Sequence, residues 1–123
     1  MTGASHLRRG RWAEEVTAKY LERQGLALLE RNFRCRLGEL DLVMAEGETL
    51  VFVEVRYRRG VAYGTALETI GARKQNKLLA AARVYLAARG RADARCRFDV
   101  VSVTKRNYQP SFHWLRDAFD QTR

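Results

Sequence analysis

Gly38-Glu39-Leu40-Asp41-Leu42-Val43 and Leu50-Val51-Phe52-Val53-Glu54-Val55-Arg56 are two apolar runs, each interrupted by acids. A carboxylate inside such a run is costly to bury unless something compensates it. Gly47-Glu48 lies midway between the runs, and glycine at the first central position is what a two-residue type II′ hairpin turn requires. A hairpin folded there sets Asp41 opposite Glu54 and Glu39 opposite Arg56, all on one face because strand side chains alternate. Like charges directly opposed weaken a sheet. A divalent cation between Asp41 and Glu54 turns that repulsion into a binding site, since magnesium is held by a few carboxylates together with water and phosphate oxygens. The competing reading is that nearby arginines satisfy the two acids.

Outward from the hairpin, the periodicities predict an α/β fold. Almost every position of Leu40–Ala45 and Thr49–Tyr57 is apolar on both faces, so these strands are expected to be central and covered on both sides. Upstream, Trp12, Val16, Tyr20 and Leu21 recur at helical spacing, which predicts a helix over Arg11–Arg23 ending at Gly25, with a strand over Leu26–Phe33. Downstream, Thr65-Ala66-Leu67-Glu68 has the form of a capping box for a helix running to Arg89 and capped by Gly90, although Gly71 allows a later start at Thr69. Arg97–Val103 reads as a strand reached by that helical crossover and therefore parallel to the third, and Phe112–Leu115 as a last strand. The expected architecture is a helix, three antiparallel strands, a crossover helix, a parallel strand and an edge strand, a mixed sheet flanked by helices.

The chain as a whole sets further bounds. Its 123 residues suit one domain spanning 1–123, large enough to bury roughly two-thirds of the surface its unfolded chain exposes. Cys35 and Cys96 show no metal-ligand spacing and read as reduced core residues of a cytosolic protein. No apolar run approaches the ~20 residues of a membrane span, and the first residues lack the apolar stretch of a signal peptide, so a cytoplasmic location is expected. A net charge of +9, from 23 Lys plus Arg against 14 Asp plus Glu, suits a polyanionic partner such as nucleic acid. Arg8, Arg9 and Arg11, then Arg31, Arg34 and Arg36, then Arg56, Arg58 and Arg59, then Arg73, Lys74 and Lys77 form groups able to hold a phosphate backbone by charge. An ordinary solvated basic surface is the plainer account of the same residues.

Several of these stretches together resemble a family. Trp12-Ala13-Glu14, Ala18-Lys19-Tyr20-Leu21, Arg31-Asn32-Phe33-Arg34, Gly38-Glu39-Leu40-Asp41-Leu42-Val43, Phe52-Val53-Glu54-Val55-Arg56-Tyr57-Arg58, Lys74 and Arg97-Phe98-Asp99-Val100-Val101 make the chain similar to the bacterial YraN family. That family is a branch of the restriction-endonuclease-like nucleases, related to archaeal Holliday-junction resolvases. The superfamily pattern, an acid on one strand and Glu-x-Lys on the next, implies that Asp41 and Glu54 are metal ligands and puts the lysine's role at position 56, which is arginine here. A guanidinium stays protonated, so Arg56 can orient water or stabilise negative charge but cannot take a proton. Lys74 is the substitute, because Ile70, Lys74, Leu78, Ala81 and Tyr85 follow one helical stripe; the alternative is a lysine that snorkels to solvent from its edge.

The resemblance further implies a third acid on the first helix, Glu14. At about 100° per residue Glu14 lies roughly 20° from Leu21 and 40° from Ala18, at the margin of the apolar arc, whereas Glu15 is turned about 160° from its centre and belongs in water. The plainer account of Glu14 is an acid favoured near a helix N-terminus. Glu39 is expected to support the site by binding Arg56 or Arg58, and Asp99 to cap a backbone or hold an arginine. His6 and His113 stand at no catalytic spacing. Trp12 and Tyr20 read as core, while Tyr57 and Tyr63 are positioned near basic residues where an unpaired base can stack.

These readings give an expected function: a nuclease, cytoplasmic and without a membrane segment, that uses Mg2+ or Mn2+ to hydrolyse DNA. Glu14, Asp41 and Glu54 are the metal ligands, Asp41, Glu54, Arg56 and Lys74 the catalytic set, and Arg11, Arg34, Arg36, Arg58, Arg59, Arg73 and Lys77 the DNA contacts. Branched or junction DNA as substrate, and a homodimer, follow from the resemblance alone. The rival is a nucleic-acid-binding module of the same fold that has lost its chemistry, which Arg56 favours; a structural role in a larger assembly is a third, weaker reading.

Overall fold

The structure, a computed structural model, describes the backbone of residues 2–59 and 70–119, with side chains from residue 10 onward in the first segment. The elements in chain order are α1 (Thr2–Arg23), β1 (Ala27–Cys35), β2 (Gly38–Glu46), β3 (Thr49–Tyr57), α2 (Ala72–Ala88), β4 (Cys96–Arg106) and β5 (Gln109–Phe119). The sheet order is β1-β2-β3-β4-β5. All neighbours are antiparallel except β3 and β4, which run parallel as a helical crossover requires.

The hairpin forms in the expected register. Glu46 pairs with Thr49 and Leu42 with Val53, around Gly47 at φ 59°, the left-handed value that the turn demands and that glycine adopts without strain. Both faces of β2 and β3 are covered. Leu42, Met44, Val51 and Val53 pack against Ala13, Ala18 and Leu21 of α1. Leu40, Val43, Leu50 and Phe52 pack against Leu78, Leu79, Ala82 and Tyr85 of α2. Leu42, Val43 and Met44 are each fully buried, which is why this strand reads as a continuous apolar run rather than an alternating one. Gly38 opens β2 tightly against α2: a Cβ there would lie 2.7 Å from the Lys77 carbonyl oxygen, so only glycine fits without displacing backbone.

Where boundaries differ from expectation, the differences have local causes. α1 begins at Thr2, a turn and more before Arg11, because its apolar stripe starts only at Trp12 and periodicity is silent without one. α2 begins at Ala72 with Gly71 as N-cap; the expected capping box Thr65–Glu68 and the start at Thr69 lie outside the described residues. The helix ends as expected before Gly90, with the Arg91 N–H donating to Leu86 O at 2.8 Å. β5 is much longer than Phe112–Leu115, since its outer half carries Arg116 and Asp117 and a bulge with Asp117 at φ 52°, features that mask a strand pattern. Cys35 and Cys96 are half-buried beside the α2 core and are not joined in a disulfide. No helix of the described residues is long and apolar enough to cross a membrane.

Candidate functional site

β2 and β3 part company at Asp41. Their ladder runs from the turn to Leu42 and Val53. In a regular continuation the Val55 N–H would meet the Leu40 carbonyl. Instead it donates to Oδ2 of Asp41 at 2.9 Å, so the aspartate side chain replaces a backbone acceptor where the strands diverge. The same break shows in the packing: Leu40 joins the α2 core and Leu42 the α1 core, a change of face that follows from the fork. Glu54, buried on the neighbouring strand, points towards α2, whose Lys74 places Nζ 3.5 Å from Glu54 Oε2. The Arg56 Nε lies 4.0 Å from the same oxygen.

The electrostatics of the fork are unfavourable to two charges. The Asp41 carboxyl lies in the field of the Glu54 charge, with Glu14 further off on the same side of the balance. Burial and then the Glu54 charge push the Asp41 pKa up to about 8, against the opposing help of the Val55 N–H; Glu14 adds to the rise. Glu14 is itself pushed above its usual value, first by burial and further by Glu39 and Glu54. Its carboxylate accepts from Asn32 Nδ2 at 2.9 Å, a contact set up by the left-handed backbone of Asn32 at φ 51°. Arg56 is pressed below its usual value by burial and by Arg58, with Glu54 and Asp41 acting in the other direction.

Asp41, Glu54, Arg56 and Lys74 are thus gathered at the fork as the sequence predicts, with Lys74 half-exposed at the end of its helical stripe rather than turned into the core. Glu14 interacts with this group through its charge, yet among the described residues no three His, Cys, Asp or Glu side chains are close enough to form a metal-binding cluster. The ligand set the geometry offers is a carboxylate pair. Glu15 is exposed, as expected.

Glu39 departs from its expected place opposite Arg56. Since the β2–β3 ladder stops at Leu42, Glu39 is paired across the other edge of β2 with Arg34, whose Nε lies 2.8 Å from its Oε2. Among the expected DNA contacts, Arg11, Arg36, Arg59, Arg73 and Lys77 are exposed, Arg58 is half-buried, and Arg34 is engaged by Glu39. Tyr57 is half-buried and meets Trp12 in a T-shaped pair with ring centres 6.1 Å apart. Tyr63 lies outside the described residues.

Asp99 takes the structural role expected of it. Fully buried on β4, it accepts from Arg97 Nε and Nη2 at 3.0 and 3.2 Å, Trp114 Nε1 at 2.9 Å and the Asp117 N–H at 2.9 Å. Arg97 also reaches Glu46, which Arg116 and Arg97 hold below its usual pKa.

The periodicities missed Asn32, which fixes Glu14, and the Val55 N–H, which fixes Asp41; neither advertises itself by spacing, because one acts through an unusual φ and the other through backbone.

A family profile described as Uncharacterised protein family UPF0102 matches residues 13–103, a span that includes every residue of the fork. The chain is 54% identical over 112 residues to a UPF0102 protein of Stutzerimonas stutzeri strain A1501, covering 90% of this chain and 93% of that protein. It is 48% identical over 120 residues to a UPF0102 protein of Nitrosococcus oceani, covering 97% of each. A third relative, from Methylococcus capsulatus, is 51% identical over 111 residues, covering 90% of this chain and 89% of its own.

Proposed function

The chain belongs to the UPF0102 family, and we propose that it is a divalent-metal-dependent phosphodiesterase acting on DNA, built on the restriction-endonuclease-like plan that its motifs resemble. The observation that carries this reading is the Asp41–Glu54 pair at one fork: Asp41 takes the Val55 N–H where the strands part, and buried Glu54 stands between Lys74 and Arg56, close enough that its charge, after burial, raises the Asp41 pKa. A group held in its costlier state by the fold is a candidate for function. The donor set is all oxygen, which suits Mg2+ or Mn2+, and two carboxylates leave positions for water and for substrate phosphate. When bound, such an ion lowers the pKa of a water and neutralises charge on the scissile phosphate. Asp41 and Glu54 are its ligands here, and Glu14 deepens the negative field around them. Lys74 orients or deprotonates the attacking water, and Arg56, always cationic, holds negative charge developing on the phosphate. The net charge of +9 and the exposed Arg11, Arg36, Arg59, Arg73 and Lys77 draw in the DNA backbone. The resemblance to resolvases adds junction DNA as the preferred substrate and a homodimer as the working state.

The test is cleavage of labelled junction, flap, duplex and single-stranded DNA in magnesium or manganese. Asp41→Asn and Glu54→Gln are expected to lose activity by about two to three orders of magnitude. No cleavage of any substrate by the parent, with both variants indistinguishable from it, overturns the reading. A second reading, a DNA-binding module without catalysis, is favoured by one observation: Glu54 already has two protein cations, Lys74 and Arg56, within 4.0 Å. It predicts salt-sensitive DNA affinity with no metal binding that depends on Asp41, and a gain of activity in Arg56→Lys.

A further inference from the structure

β4 and β5 are joined by two residues, Asn107 and Tyr108, between the paired Arg106 and Gln109. Both are left-handed, at φ 50° and 64°, which is type I′ geometry. Asparagine suits the first position, but the second favours glycine, and a tyrosine there is strained by its own Cβ. Folding does not explain the ring, because Tyr108 is 89% exposed. It is not isolated, however. Lys105 Nζ lies 5.9 Å from the centre of the Tyr108 ring and 5.0 Å from that of Trp12, so one cation is shared between two aromatic faces. Trp12 in turn meets Tyr57 on β3 and stands two residues before Glu14 on α1. Tyr57 packs with the α1-side core, on the face of β3 opposite to Glu54. A run of rings and positive charge therefore extends from the hairpin tip along the α1 side of the sheet as far as Tyr57.

We propose that Tyr108, with Lys105 beside it, is a stacking platform for an unpaired base of a nucleic-acid strand. A base inside a duplex hides both faces against its neighbours, whereas an unpaired base lays one face on an exposed ring, and an adjacent ammonium holds its phosphate. The platform thus selects single-stranded segments, such as those at flaps, ends and branch points, over continuous duplex. The inference rests on the nucleic-acid half of the proposed function and not on cleavage.

The experiment is equilibrium binding of the full chain, in chelator at fixed salt, to a fluorescent oligothymidylate of about 15 nucleotides and to a duplex of similar length. Tyr108→Gly removes the ring and suits the left-handed turn, so the fold is kept and a melting curve verifies it. It should weaken oligothymidylate binding roughly tenfold while duplex affinity changes by less than about twofold, and Tyr108→Phe should bind like the parent. Unchanged single-strand binding in Tyr108→Gly overturns the platform, as does an equal loss for single strand and duplex. Single-strand binding that depends on Tyr108 in a protein that cleaves nothing in magnesium leaves the platform standing and removes the phosphodiesterase. A parent that binds neither DNA removes both.

Discussion

Asp99 on β4 and Asp41 on β2 are aspartates inside the same sheet, and the fold treats them in opposite ways. Asp99 is given four donors, from the Arg97 fork, the Trp114 indole and the Asp117 N–H, so its charge is answered wherever it points. Among the described residues Asp41 takes one hydrogen bond, from the Val55 N–H, and is set against a second acid, Glu54. The first arrangement makes a carboxylate part of the scaffold; the second leaves it a charge that an external cation can satisfy. Burial alone therefore does not mark a functional acid. The missing compensation does.

Four measurements bear on that contrast. The largest stability effect is expected from Asp99→Ala, which leaves Arg97 with Glu46 alone and takes the acceptor from the half-buried Trp114 N–H, and should lower unfolding free energy by about 3 kcal/mol in urea melts. Asp41→Asn, by comparison, should not destabilise; a loss as large as that at Asp99 would erase the distinction between the two acids. Next in size is magnesium, which should stabilise the parent by about 2.7 kcal/mol at a hundred times its dissociation constant and leave Asp41→Asn and Glu54→Gln unmoved. Because the ion displaces the proton that Asp41 holds below about pH 8, the thermal shift should grow as pH rises towards 8. The third test is metal-free stability against pH. The folded pKa of Asp41 lies above its ordinary 3.8, so the native state holds the proton more tightly than the unfolded chain. That contribution is complete below 3.8 and disappears as pH rises to about 8, so the melting temperature of the parent should fall through this window relative to Asp41→Asn. The smallest effect belongs to Arg34→Ala, which breaks an exposed ion pair with Glu39 and should change stability by less than about 1 kcal/mol.

Much of this was legible in the residues. The Gly47-Glu48 turn and the flanking apolar runs fixed the hairpin register, and with it the meeting of Asp41 and Glu54, because a two-residue loop leaves one pairing. The parallel placement of β4 followed from a crossover too long for a hairpin. The pairing of Glu39 was misread because it assumed an unbroken ladder to Arg56, whereas the strands separate at Asp41 and Glu39 answers to β1 instead. Tyr108 went unnoticed since a lone aromatic beside an asparagine has no periodicity, and its exposure is a property of the turn.

Composition, charge and short-range pattern determined by themselves which segments pair, which faces are apolar and which acids are brought within reach, since these depend on turn geometry and on alternation along one strand. Tertiary structure alone decided which acids are compensated. Trp114 and the Asp117 N–H reach Asp99 from β5, and Lys74 reaches Glu54 from the crossover helix. Whether a buried charge is satisfied depends on the donors around it in three dimensions, and no spacing along the chain encodes that count.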